Sequence, residues 1–167
     1  WVLYIHSGEG VDSVAVVEAR GGQWPSRLVV GHDFYMWPRW SPTGRHIAYV
    51  AWDHPAMPWD ETELFLAPIA GAGPSGPILG EPARLAGGER VAVNQPEFSP
   101  DGAKLAYIAD ATGWNQLYIY DLATGEHRPV TRAEAEHGGP AWSYEEHSYA
   151  WSHDSRSLVY RRDERGF

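Results

Sequence analysis

The sequence predicts an all-β chain, a partial β-propeller built of four-stranded antiparallel blades. Three observations carry this expectation. A ten-residue phrase occurs three times, as Trp40-Ser-Pro-Thr-Gly-Arg-His-Ile-Ala-Tyr49, Phe98-Ser-Pro-Asp-Gly-Ala-Lys-Leu-Ala-Tyr107 and Trp151-Ser-His-Asp-Ser-Arg-Ser-Leu-Val-Tyr160. Its serines stand 58 (41 to 99) and 53 (99 to 152) residues apart. Repetition at this step is the mark of propeller blades, whose four strands take roughly 40–50 residues. Nine Trp and nine Tyr supply flat side chains suited to packing between sheets. Eighteen Gly and 13 Pro in 167 residues supply the turns that many short strands need.

The phrase has a mechanical reading. Ser-Pro-Asp-Gly is a β-turn signature, because Pro presets φ at its second position and Asp and Gly tolerate the tight corner. The turn joins an innermost strand, ending at the aromatic residue, to a second strand apolar on both faces. In that strand Leu105, Tyr107 and Ala109 alternate with Ala106 and Ile108. Such a strand is buried on both sides, as stacked sheets require.

Extending each phrase outward gives the strands in order. Val2–Ile5, Ser13–Ala19 and Arg27–Val30 read as three strands of a partial blade over residues 1–35. A whole blade over 36–90 takes strands near 36–40, 46–52, 62–69 and 82–86, with Gly71–Pro77 linking the last two. A second, over 91–135, takes 94–98, 104–109, 115–121 and 127–131, the last two joined by a turn at Ala123-Thr-Gly-Glu126. Tyr149–Trp151 and Leu158–Arg161 begin a further blade over 148–167. Joining the partial ends would give three blades, whereas propellers close with roughly four to eight. The expectation is that residues 1–167 are a fragment of one larger propeller.

Composition narrows function. The net charge of −9 disfavours nucleic acid and anionic membrane surfaces as partners, since both are polyanions. No stretch approaches the ~20 apolar residues of a membrane helix. With no cysteine, disulfides and thiolate metal sites are excluded, which suits a cytoplasmic location. The chain opens at Trp1 rather than Met, so a periplasmic or secreted location stays open.

Three stretches resemble the propeller of bacterial serine peptidases of the prolyl oligopeptidase family, of the dipeptidyl aminopeptidase/acylaminoacyl peptidase type. They are Phe34-Tyr-Met-Trp-Pro-Arg-Trp-Ser-Pro-Thr-Gly44, Trp52-Asp-His-Pro-Ala-Met-Pro-Trp-Asp-Glu-Thr-Glu-Leu64, and Ser148-Tyr-Ala-Trp-Ser-His-Asp154 running on to Arg162-Asp-Glu-Arg-Gly-Phe167. The Ser-Pro-Asp-Gly repeat is common to many propellers; the Trp-Asp-His-Pro-x-Met-Pro-Trp-Asp insertion is much narrower. The resemblance covers essentially the whole chain. It implies a propeller seated over an α/β-hydrolase domain that follows in sequence and carries a Ser–Asp–His triad, its Ser at a Gly-x-Ser-x-Gly elbow. This chain contains no Gly-x-Ser-x-Gly, so it offers no catalytic residue. The third phrase departs from the pattern, with Ser152-His-Asp-Ser155 in place of Ser-Pro-Asp-Gly.

Propeller geometry sorts the loops onto two faces. Turns between first and second strands, and between third and fourth, share one face, which is expected to carry only short turns. The richest loops, Trp52–Glu61, Asp110–Asn115 and Glu134–His147, share the other, and function concentrates on elaborated loops. The first places Asp53, His54, Met57, Trp59 and Asp60 around two prolines. These are candidates for substrate or hydrolase-domain contact; the plainer alternative is a rigid loop covering its own blade. Glu145 and Glu146 are a second candidate. Some relatives hold the free amino terminus of a peptide with propeller carboxylates, a charge-assisted contact; the plainer alternative is a solvated acidic loop, and Glu134 and Glu136 invite the same two readings. His137 and His147 lie near carboxylates, but no His-x-x-x-His pattern accompanies them, and no metal or other cofactor is expected. Trp40, Phe98 and Trp151 occupy equivalent repeat positions and read as packing between blades.

The resulting expectation is a propeller segment of a serine exopeptidase or oligopeptidase. It would gate access of a peptide substrate and pack on the α/β-hydrolase domain of the same parent protein. The alternative is a non-catalytic propeller scaffold for protein–protein interaction, as in the periplasmic propeller of the Tol system. A carbohydrate-active propeller would need carboxylates converging on a central pocket, and the inner strands end in apolar aromatics instead.

Overall fold

The computed structural model describes residues 1–139, 141–142 and 146–164. Among these residues there are fourteen strands and no helix. They form four antiparallel sheets in chain order. The first contains β1 (Val2–Gly8), β2 (Val11–Val17) and β3 (Ser26–Val29). The second contains β4 (Phe34–Trp40), β5 (His46–Trp52), β6 (Glu63–Gly73), β7 (Gly76–Leu79) and β8 (Ala83–Gly87). The third contains β9 (Val93–Phe98), β10 (Lys104–Ala109), β11 (Gln116–Asp121) and β12 (His127–Pro129), and the fourth pairs β13 (Tyr149–Trp151) with β14 (Leu158–Tyr160). Strands follow one another as meanders, the arrangement of propeller blades.

Side-chain alternation explains the stacking. Along β5, Ile47, Tyr49 and Ala51 face the first sheet and join Val14 and Val29. Their neighbours Ala48, Val50 and Trp52 face the other way, onto Val93, Phe98, Leu105 and Tyr107 of the third sheet. Along β10 the pattern repeats, with Ala106 and Ile108 turned to Tyr149 and Trp151 of the fourth. A period of two therefore puts every second residue into each of two cores. Ile47, Val50, Leu105 and Ile108 are fully buried. Each such side chain contributes about 1.5–3 kcal/mol relative to exposure. Phe98 is buried and Trp40 and Trp151 are half-buried against these cores, so the repeat aromatics do pack between sheets.

The three phrases fold into the same turn. Ser41, Ser99 and Ser152 each donate their backbone N–H to the carbonyl five residues on, at 2.8–2.9 Å. Their hydroxyls accept the backbone N–H of His46, Lys104 and Ser157. The fourth turn position needs a positive φ, taken by Gly44 (67°), Gly102 (71°) and Ser155 (61°). Ser155 thus adopts the glycine conformation. Its hydroxyl accepts the backbone N–H of Asp101 from the neighbouring turn at 3.0 Å, a bond glycine could not make.

A second repeated feature sits on the first strand of each complete sheet. Trp37 and Gln95 have φ of 48° and 53°, each before a proline and each in a β-bulge of its ladder. The bulge turns the side chain across to the next sheet. Trp37 packs in the core shared with β9. Gln95 accepts the N–H of Ser148 at 2.7 Å and donates to its hydroxyl at 3.2 Å. Arg39 and Glu97 pair at 3.0 Å between β4 and β9, and Trp151 Nε1 donates to Glu97 O at 3.1 Å.

One expectation is corrected. Gly71–Pro77 is not a plain link, and the face of short turns is not uniformly plain. β6 continues through Gly73 and pairs with β7, so the outer edge of the second sheet is a long hairpin. The hairpin leans on the first sheet: a Cβ on Gly76 would stand 3.2 Å from Val16 and 3.6 Å from the Trp1 ring. The alternation at Ile69–Gly73 is too weak, with two glycines and two alanines, to reveal it in the sequence.

Candidate functional site

The opposite ends of the sheets carry the long loops, and these are pinned from several directions. Asp33 and Asp53 form a reciprocal clamp. Asp53 Oδ1 accepts the N–H of Asp33 at 2.7 Å, and Asp33 Oδ2 accepts the N–H of His54 at 2.9 Å. His32 Nδ1 lies 2.9 Å from Asp53 Oδ2 and His54 Nδ1 lies 3.1 Å from Asp33 Oδ2. The backbone bond from His54, with its imidazole beside it, holds the Asp33 carboxyl below the usual carboxylate range. At the far end of the same loop the Thr62 hydroxyl donates to Val93 O and accepts Val93 N–H, tying the loop to β9.

Asp110 opens the β10–β11 loop and caps the start of the third sheet, its Oδ1 accepting Ala92 N–H at 2.8 Å. Burial pushes its carboxyl pKa up against that hydrogen bond, and Glu136 adds repulsion. Glu136 Oε2 accepts both the backbone and the side-chain N–H of Asn115, at 3.1 and 2.9 Å. The backbones of Glu136 and Asp163 exchange two hydrogen bonds. Arg161 reaches Asp163 at 2.8 Å and donates to Gly138 O at 3.1 Å.

These loops enclose two grooves. One, of about 720 Å³, runs from Trp52–Ala56 to Arg90 and Asp110. The other, of about 420 Å³, lies between β9, Asn115 and the segment around Gly138, Arg161 and Asp163. Trp59 and Asp110 line both. Trp59 meets Trp142 with ring centroids 5.1 Å apart, both rings exposed. All three rich loops therefore come together at one end of the sheets.

The candidate residues divide among different roles. Asp53 and His54 line the larger groove and also build the clamp. Trp59 and Asp60 line grooves; Trp52, the other tryptophan of the loop, borders the larger one too but is buried and stacks on Phe34. Met57 is exposed and lines neither groove; its carbonyl accepts the N–H groups of Asp60 and Glu61. Glu145 lies outside the described residues. Glu146 stands beside Gly139 at the rim of the smaller groove, where its Oε2 is buried without a partner among the described residues. His137 is buried against Tyr160. Among the described residues no three of the His, Asp and Glu side chains are placed to hold a metal ion.

Asn94, Arg90, Arg161 and Asp163 escaped the sequence reading. The last two sit at the end of β14, 67 residues from Asn94 (94 to 161), and only stacking of sheets brings them together. Asn94 borders the smaller groove and is 2 % exposed; its Oδ1 is buried with no hydrogen-bond partner among the described residues.

Comparison with known proteins agrees with this architecture. A family model for the dipeptidyl peptidase IV (DPP IV) N-terminal region matches residues 82–166, just over half of the chain. A puromycin-hydrolyzing peptidase of Mycobacterium tuberculosis is 29% identical, with a TM-score of 0.75 over 91% of this chain and 23% of its own. A puromycin hydrolase is 33% identical, with a TM-score of 0.72 over 89% of this chain and 23% of its own. The chain thus corresponds to less than a quarter of those peptidases. The Tol-Pal system protein TolB of Alcanivorax borkumensis is 38% identical over 52 residues, which are 30% of this chain and 12% of TolB. With its stacked antiparallel meander sheets and these matches, the chain belongs to the DPP IV N-terminal region family, the β-propeller of prolyl oligopeptidase-family peptidases.

Proposed function

We propose that this chain is the part of a serine exopeptidase or oligopeptidase propeller that gates peptide access and packs on an α/β-hydrolase domain of the same protein. The observation that carries this reading is likeness to two puromycin-hydrolysing enzymes over about nine-tenths of the chain. In this reading residues 1–35, 36–90, 91–135 and 148–167 are successive blades or parts of blades. The grooved end faces the hydrolase, and Asp53, His54, Met57, Trp59 and Asp60 contact substrate or that domain. Glu145 and Glu146 hold the free amino terminus of the peptide through a charge-assisted contact. The serine acyl-enzyme chemistry belongs to the hydrolase domain, and the propeller contributes size exclusion and orientation. The parent protein acts in the cytoplasm.

Fluorophosphonate labelling of the native protein, read by denaturing gel and intact mass, tests the reading. A labelled polypeptide that contains this propeller supports it. Absence of label supports the scaffold alternative, which the local match to TolB favours. Cell fractionation checks the location.

A further inference from the structure

The junction between the third and fourth sheets is unlike the one before it. Gln95 occupies the position of Trp37, three residues before the repeat aromatic, with the same positive φ and the same bulge in its ladder. At Trp37 the side chain that crosses to the next sheet is apolar and fills a core. At Gln95 it is an amide, 3 % exposed, and a buried amide is costly unless it is hydrogen-bonded. Its bonds go to two adjacent residues of the fourth sheet. Gln95 Oε1 accepts the Ser148 N–H at 2.7 Å, Nε2 donates to the Ser148 hydroxyl at 3.2 Å, and the backbone oxygen accepts the Tyr149 hydroxyl. An apolar side chain of similar volume would fill the same space without fixing Ser148.

Ser148 is the anchor that follows Glu146. Glu146 lies two residues before it and belongs to no strand. Its Oε1 lies against Gly139 of the smaller groove, where an added Cβ would stand 3.1 Å away. A carboxylate that meets an ammonium group does so over about 2.7–2.9 Å, and such a contact requires its support to be held to about 0.5 Å. Gln95 lines neither groove, so it reaches Glu146 only through Ser148.

We propose that Gln95 is a positioning residue for amino-terminal recognition: by anchoring Ser148 it sets Glu146 where its carboxylate meets the ammonium group of a bound peptide. The proposal rests on the reading of Glu146 given above and adds the residue on which that contact depends. The same bonds also contribute stability, but a purely stabilising role would lower the melting temperature and leave selectivity unchanged.

The test uses the full-length protein that carries this propeller, with glycyl-phenylalanine p-nitroanilide and its N-acetyl counterpart, which lacks the ammonium group. The free-amine anilide is expected to have a KM about tenfold lower, and Glu146→Gln to remove that difference. Gln95→Leu should raise the KM of the free-amine anilide about fivefold, with its kcat and both constants of the acetylated anilide within about twofold of the parent. Gln95→Glu, whose carboxylate still accepts the Ser148 N–H, should restore most of the difference. Melting temperatures verify that each variant folds. If Gln95→Leu does not fold, Tyr149→Phe keeps the ring, removes one of the three bonds to Gln95 and should shift the same KM in smaller measure. A Gln95→Leu protein that melts lower yet keeps the full difference, or that loses activity on both anilides alike, overturns the proposal and leaves the reading of Glu146 standing. A difference that survives Glu146→Gln, equal KM values in the parent, or cleavage of neither anilide overturns the amino-terminus reading and this proposal with it. Fluorophosphonate labelling of the same samples shows separately whether the peptidase reading stands.

Discussion

The two ends of the stacked sheets follow different rules. At the end of the Ser-Pro-x-Gly turns, the same hydrogen bonds occur three times, from Ser41, Ser99 and Ser152, and neighbouring turns touch through Ser155 and Asp101. At the other end one device recurs, Asp53 and Asp110 each accepting the N–H just before the first strand of its sheet, from Asp33 and Ala92. The rest differs from sheet to sheet: Asp33 makes the first of these a two-way clamp, and Thr62 ties the far end of the same loop to β9. Each turn of the periodic end is closed by bonds within five residues, and the Asp101–Ser155 bond joins two of the turns. The other, largely aperiodic end is held by bonds spanning about 20 to 30 residues, and it carries the two grooves lined by Asp53, Asp60, Asp110 and Glu136. The repeat thus sets the frame, and the long loops depart from it.

The sharpest way to break the aperiodic end is at Gly87. A Cβ there would fall 1.9 Å from the backbone oxygen of Thr62, and φ is +89°. Neither the backbone contact nor the conformation can give way cheaply. Gly87→Ala is expected to cost about 4 kcal/mol, the range of severe single substitutions, read as the shift of the urea midpoint. A loss below about 1 kcal/mol would show that the Thr62 loop is not held by β8.

The junction between sheets is next. Gln95→Ala removes both bonds to Ser148 and leaves a buried N–H without its partner. The expected loss is about 2 kcal/mol. Hydrogen exchange at the Ser148 amide should rise with it, which a change confined to β9 would not produce.

The periodic end offers a smaller and more discriminating comparison at Ser155. Ser155→Ala keeps the strained φ and loses the bond to Asp101, for an expected cost of about 1 kcal/mol. Ser155→Gly relieves the conformation while losing the same bond, so its midpoint should stay within about 0.5 kcal/mol of the parent. Equal losses in both variants would remove the conformational part of the argument.

Acid separates His127 from Asp110 by sign. His127, at the periodic end, has its pKa lowered by burial, and its Nδ1 meets the Tyr107 hydroxyl at 2.8 Å. Below pH 6.5 the unfolded chain takes up a proton that the folded His127 refuses, so stability falls as the pH drops from 6.5 toward the folded value. His127→Asn should flatten that slope. Asp110, at the other end, has its pKa raised, so the folded chain holds the extra proton between 3.8 and its own value. Its carboxylate penalty is present at neutral pH and fades on acidification. Asp110→Asn should therefore raise the melting temperature at pH 7 and lose that advantage in acid. Melting curves between pH 3 and 8 check both signs.

Much of this was legible beforehand because it is local. The phrase announces its own turn, and alternation along 104–109 requires a strand with two buried faces, as β10 has. The rich loops could be named from their length and their Trp, Asp and Glu content. The individual roles could not. Asp53 and His54 looked like contact residues, and their partners Asp33 and His32, some 20 residues away, make them a brace as well. The β6–β7 hairpin escaped notice because glycines and alanines give little periodicity.

By itself the sequence determined the blade repeat, the strand faces and the serine turns, since each depends on residues a few positions apart and on a period of two. Only the tertiary structure decided which side chains share the smaller groove. Asn94, Asp110, Glu136 and Arg161 come from four separate segments, and nothing within any one of them encodes the others. They meet because stacked sheets bring the same ends of successive blades side by side. That juxtaposition is fixed by the buried faces of β5 and β10, far from the groove in sequence and independent of its charges.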